Sequence, residues 1–192
     1  MTLRQLLNHT SGLPDLTSSR AFVEAVQASP DQAPPPEELL QFLADEPLAF
    51  PPGTRYSYSN ADNIAAALLI QAATGRSYAA VLSDEVLKPL KLKRTSLPAG
   101  VEMPRPTLRG YDRSESGELE DVTGALAGGW AWASGGVVST PADLNTFIRG
   151  YVRGALYGSR TRAEQQRRFI PSAESSPPGP GDNSVSLALQ RR

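Results

Sequence analysis

Phe50-Pro51-Pro52-Gly53-Thr54-Arg55-Tyr56-Ser57-Tyr58-Ser59-Asn60 is the stretch on which the reading of this chain turns. Pro51-Pro52-Gly53 predicts a turn, because proline fixes φ and glycine permits positive φ. Tyr56-Ser57-Tyr58 alternates aromatic and small polar residues and reads as extended. Asn60 is expected to cap a helix that runs from Ala61 to Thr74. Apolar residues recur there at Ile64, Leu68 and Ala72, and at Ala65, Leu69 and Ala73, which is helical spacing. Gly75 fits the stop. Tyr58 and Asn60 then sit at the positive end of a helix dipole, where a phenol can serve packing or chemistry.

Upstream, Thr2 with Gln5 three residues later is a capping box. Leu3, Leu6 and Leu7 predict one apolar face on a helix ending near His9, and Ser11-Gly12-Leu13-Pro14 predicts the turn out. Residues 15–35 read as loop, and Glu37 to Ala44 as a short helix. Downstream, Ser77 predicts another cap, with Tyr78, Leu82 and Val86 in register before Pro89 ends the helix. Residues 98–124 read as loop with short extended pieces. Thr140, Pro141 and Asp143 occupy cap, first and third helical positions. Leu144, Phe147, Ile148, Tyr151 and Val152 follow as the clearest amphipathic stripe in the chain. Arg160 to Arg168 predicts a short basic helix.

With 192 residues the chain is long enough for one domain with a real core. A net charge of −1 gives no reason to expect a nucleic-acid surface. The absence of cysteine excludes disulfides, thiol catalysis and thiolate metal sites. His9 is the only histidine, so a histidine metal site is not expected, and no cofactor is. Met1-Thr2-Leu3-Arg4-Gln5 has no apolar leader core, and no stretch has the apolar length of a transmembrane segment, so location is left open.

Four stretches carry a resemblance: PGTRYSYSNADN at 52–63, LRQLLNHTSGLPD at 3–15, PLKLKRT at 89–95, and GGVVSTPADL at 135–144. Together they resemble the serine β-lactamase and penicillin-binding-protein family, in particular class C β-lactamases, D-alanyl-D-alanine carboxypeptidases and related esterases. The resemblance implies an α+β fold, an antiparallel sheet flanked by helices beside a mostly helical domain. This chain would cover mostly the helical domain, with a few short antiparallel strands. Residues 1–170 would be the central part of the hydrolase domain, 171–183 a mobile linker rich in proline and glycine, and 184–192 a strand that leads toward a third motif. It implies a catalytic role for Tyr58 in activating a serine, and substrate binding by Asn60. Trp130 would line the substrate pocket in some relatives, and serves equally well as a core residue. His9 fits a loop-bracing role. Lys91 stands where the family usually has glycine, so the turn there is expected to differ, and Lys88, Lys91, Lys93 and Arg94 form a solvated basic face. The implied partner is a small-molecule or peptidoglycan-like peptide substrate, with self-association of the chain also open.

The family's nucleophile motif, Ser-x-x-Lys, is not found in these residues. The residues three before Lys88, Lys91 and Lys93 are Glu85, Lys88 and Leu90. That spacing matters because i, i+3 puts serine and lysine on one helix face. Ser134 lies in Trp132-Ala133-Ser134-Gly135-Gly136, which lacks the first glycine of a nucleophile elbow. Without a neighbouring lysine Tyr58 is expected to remain a neutral phenol. Two readings follow: a piece of a serine hydrolase that is inactive as this chain, or a non-catalytic product that binds a ligand or partner.

Overall fold

The computed structural model describes residues 1–114 and 116–167. The linker and strand expected at 171–183 and 184–192 lie outside the described residues. The elements are α1 (Leu3–Leu7), α2 (Arg20–Ala28), α3 (Asn60–Thr74), α4 (Tyr78–Leu82), β1 (Tyr111–Arg113), β2 (Leu119–Asp121), α5 (Trp132–Gly135), α6 (Pro141–Arg153) and α7 (Ser159–Arg167). Short 3₁₀ segments at Leu16–Ser18, Pro36–Leu43 and Gly128–Trp130, and a π-helical turn at Ser83–Leu87, fill between them. β1 and β2 form an antiparallel hairpin, Tyr111 opposite Asp121 and Arg113 opposite Leu119. The class is α+β, as expected, with helix dominating.

α3 is the organising element. It packs against α1, α4, α5 and the 3₁₀ segment Pro36–Leu43. Its N-terminal half carries the core: Ala61, Ile64 and Ala67 join Leu16, Phe22, Leu39, Leu43, Trp130 and Trp132. The expected stripe holds only in part, since Leu69, Ala72 and Ala73 are exposed. Neighbours surround the first turns of α3, and its last turns emerge from them. Gly75 stops the helix with φ 65.

Several local predictions match. Thr2 and Gln5 form the reciprocal capping box of α1. Ser77 caps α4 and Thr140 caps α6, each accepting from the third helical amide. On α1, however, only Leu6 is buried and Leu3 and Leu7 face out. Residues 15–35 are not simply loop, because Ser19 caps the nine-residue α2, which lays Phe22 into the core. The segment expected as a helix at 37–44 winds as 3₁₀ instead. Lys91 takes φ 57, so a lysine adopts the left-handed turn that glycine makes without strain. Lys88, Lys91, Lys93 and Arg94 are all exposed, and Lys88 Nζ meets Asp84 at 2.6 Å.

Behind that turn, Ser96 and Val138 exchange backbone hydrogen bonds of 2.9 Å. Asp143, in the first turn of α6, accepts from the Arg94 amide and the Thr95 hydroxyl, both at 2.8 Å. α6 also docks at Gly150, where a Cβ would stand 2.6 Å from Leu90. Among the described residues its apolar stripe is left exposed: Leu144, Ile148, Tyr151 and Val152 are 41–54% exposed. Burial of each such side chain is worth about 1.5–3 kcal/mol. The 192-residue chain prepared alone is therefore expected to self-associate through this stripe. Sedimentation velocity should show concentration-dependent species, and the pair Leu144→Glu with Ile148→Lys should return it to monomer. A wild-type chain that stays monomeric at high concentration would contradict this.

Candidate active site

The loop before α3 is held by the loop after α1. The Ala49 amide donates to the Gly12 carbonyl (2.8 Å), Gly53 to Thr10 (2.7 Å) and Ser57 to His9 (2.9 Å). Gly12 has φ 82, and a Cβ there would lie 2.2 Å from the Phe50 carbonyl oxygen, so only glycine fits. Gly53 has φ 89, as its turn requires. These contacts deliver residues 56–59, which belong to neither helix nor strand, to the head of α3.

The cap itself differs from expectation. Ser59, not Asn60, is the N-cap: it has extended φ −146 and ψ 128, and its Oγ accepts from the Ala61 amide. Ser59 Oγ also donates to the Pro14 carbonyl at 3.0 Å. Asn60 is the first helical residue, which releases its side chain for other partners. Asp15 takes both of its nitrogens. The Asn60 backbone amide donates to Asp15 Oδ2 at 2.7 Å, and Asn60 Nδ2 donates to Oδ2 at 3.0 Å and Oδ1 at 3.3 Å. Burial pushes the Asp15 carboxyl pKa up, but hydrogen bonds from Thr17 and Asn60 outweigh that and hold it below the ordinary carboxylate value. On the other side of the amide, Tyr58 OH donates to Asn60 Oδ1 at 3.2 Å, and Asn63 Nδ2 donates to the Tyr58 oxygen at 3.4 Å.

A second network lies beside the first. The Asp62 side chain is fully buried. It accepts from Ser11 Oγ, and His9 Nδ1 lies 3.1 Å from its other oxygen. A carboxylate only accepts, so His9 carries a proton on Nδ1. Serine, histidine and aspartate are present, but in the wrong order for a nucleophile. Aspartate stands between the other two, so no imidazole reaches the Ser11 proton. Ser11 is itself buried, and its oxygen already accepts from the Leu13 amide at 2.9 Å. His9 has φ 53, and its ring lies 4.6 Å from that of Tyr58, tilted by 45°. It braces the loop and backs the phenol.

Asn60 and Trp130 line one cleft of about 190 Å³, with Leu16, Thr17, Phe22 and Ser134. Tyr58 is not part of the cleft wall, and Asn60 links the two. Trp130 is at the same time a core residue. It is 4% exposed, its Nε1 donates to the Ser29 carbonyl at 3.1 Å, and it meets Phe22 edge to face. The Ser134 hydroxyl is turned onto the Ala131 carbonyl at 2.5 Å. Among the described residues no three His, Asp or Glu side chains gather as metal ligands, and no single helix is long and apolar enough to cross a membrane.

Sequence reasoning singled out Tyr58 and Asn60 but missed Asp15 and Asp62, and the closeness of Ser11 to His9 in sequence was too weak a signal to place Ser11. Asp62, in the first turn of a helix, has the signature of a solvated dipole partner. Only its place between Ala61 and Ile64, both buried, hints otherwise. No local signal points to Asp15.

Comparison with known proteins adds a family and several neighbours. The profile of the family described as Beta-lactamase matches residues 1–189. The D-alanyl-D-alanine-carboxypeptidase/endopeptidase AmpH of Escherichia coli K12 is 27% identical over 170 residues, 88% of this chain and 41% of that protein. The D-stereospecific amidohydrolase of a Streptomyces species superposes with a TM-score of 0.79 at 30% identity, over 88% of this chain and 52% of its own. The D-amino acid amidase of Ochrobactrum anthropi SV3, in complex with D-phenylalanine, gives 0.71 at 27%, over 83% and 46%. The chain thus spans about half the length of the relatives it matches, or less.

Proposed function

The chain belongs to the Beta-lactamase family, and on that premise we propose that it is the central part of a serine hydrolase domain that opens an amide or ester next to a D-amino acid. Tyr58 takes part in proton transfer, Asn60 binds the substrate amide, and Trp130 walls the cleft. The observation that carries this reading is the Tyr58–Asn60 hydrogen bond at the head of α3 beside a cleft that Asn60 and Trp130 share. The three relatives above support it, because their names concern D-alanyl-D-alanine peptides, D-stereospecific amide hydrolysis and D-amino acid amides. D-alanyl-D-alanine peptides and D-amino acid amides fall within that class; β-lactams and simple esters are further substrates that the same acyl-transfer chemistry would take.

These 192 residues hold no Ser-x-x-Lys, and the buried Ser11 and the turned-in Ser134 do not replace it. The chain alone is therefore proposed to bind without forming an acyl-enzyme. Two measurements test this. Titration with D-phenylalanine amide, followed by NMR, should shift the Ser59, Asn60 and Ala61 amides more than the L-enantiomer does. Incubation with a fluorescent penicillin should leave the intact mass unchanged. Equal response to both enantiomers, or none, would refute the site. A stoichiometric adduct lost on substituting one serine would refute the inactivity.

A further inference from the structure

Asp15 stands at one end of a hydrogen-bond chain and, as an acceptor of Asn60 Nδ2, sets its direction. As a carboxylate it offers acceptors only. The Asn60 side-chain atom within reach of it, at 3.0 and 3.3 Å, must then be the NH₂ group, and the carbonyl Oδ1 must face the other way. Oδ1 is an acceptor, so the group that meets it at 3.2 Å, the Tyr58 hydroxyl, must donate. A phenol has one hydrogen. With that hydrogen spent on Asn60, the Tyr58 oxygen meets every further partner as an acceptor, and the donor that approaches at 3.4 Å is the Asn63 amide. An asparagine without Asp15 would be free to turn its amide over, which would put NH₂ toward Tyr58 and release the phenol to donate elsewhere.

We propose that Asp15 is a positioning residue that sets the hydrogen-bond polarity of the Asn60–Tyr58 pair, committing Tyr58 to accept a hydrogen bond from a reacting hydroxyl. It reaches Tyr58 through Asn60. The lowered Asp15 pKa agrees with this, since it keeps the group in its acceptor-only form. The consequence for chemistry rests on the role given to Tyr58 under the proposed function, whereas the polarity itself does not.

The test needs no ligand. In the full chain with ¹⁵N-asparagine and ¹³C-tyrosine labels, the Asn60 NH₂ signals (identified with Asn60→Asp) and the Tyr58 Cζ signal (identified with Tyr58→Phe) are followed. Asp15→Asn keeps the size of the side chain but adds a donor. It should shift both signals together and reduce the separation of the two NH₂ protons, while the indole signals of Trp130 and Trp132 stay in place. Thr17→Ala, which removes the other side chain on Asp15, should leave both nearly unmoved. Asp15→Asn with an unmoved Tyr58 signal in a folded chain would overturn the proposal. Should that variant not fold, the unaltered chain decides: scalar coupling across the hydrogen bond from Asn60 Nδ2 to the Asp15 carboxyl carbon is expected, and its absence overturns the orientation. If the polarity holds but D-phenylalanine amide does not bind, only the functional reading falls. The reverse result leaves that reading standing and removes this one.

Discussion

Trp130→Ala is expected to destabilise the chain by about 3–5 kcal/mol, the range for removing a buried aromatic from a core. The indole packs edge to face on Phe22 at 5.5 Å, sits 6.2 Å from Phe42, and satisfies the Ser29 carbonyl. Alanine would lose all three and leave a cavity beside the cleft. Trp130→Phe keeps the ring contacts and loses the hydrogen bond, so it should cost about 1 kcal/mol more than a neutral change. Denaturant midpoints at unchanged slope would measure both. A loss under about 1 kcal/mol for the alanine variant would mean that the indole serves the cleft and not the core.

Asp62→Ala should have the next largest effect. It removes the acceptor of two groups at once, the buried Ser11 hydroxyl and the His9 ring N–H. Each unsatisfied buried group costs about 1–3 kcal/mol, so a loss of about 2–5 kcal/mol is expected. Asp62→Asn should cost less. Its oxygen can still accept from Ser11, and His9 can move its proton to Nε2 and accept from the new amide. The His9 tautomer change is visible in ¹⁵N spectra and would not follow from a purely steric effect. The double variant Ser11→Ala with Asp62→Ala should cost less than the sum of the singles, since the two side chains share one hydrogen bond. Additive losses, or an unmoved midpoint for Asp62→Ala, would show that the buried network does not hold the loop.

The two networks account for how the head of α3 is held. Asp15 and Asp62 come from opposite sides of the first turn of α3, one in the loop after α1 and one on the helix itself. Asp15 fixes Asn60 from outside and Asp62 fixes His9 from within, and both arms end on Tyr58. The long-range pairs also decide what cannot happen. With Ser11 committed to Asp62, the one serine near a histidine in sequence is removed from nucleophilic chemistry.

What depends on neighbours in the chain was legible from the residues. The capping box at Thr2, the caps at Ser77 and Thr140, the stop at Gly75 and the Pro-Gly turn were all legible, because each is a bond or a φ value set within three or four residues. The head of α3 as the place of Tyr58 and Asn60 followed from the same rules. α2 was legible in principle, through Ser19 and the Phe22, Ala25 and Val26 spacing, but the prolines that follow it masked the signal. Which polar groups meet depends on how distant segments pack. Asp15 and Asn60 are 45 residues apart, Ser11 and Asp62 are 51, His9 and Asp62 are 53, and Trp130 reaches Ser29 across 101. Periodicity reports which face of an element is apolar, not which element covers it. Hence the α6 stripe was visible in the sequence while its exposure was not, and no local pattern showed that Ser11 and His9 of the loop after α1 would meet Asp62.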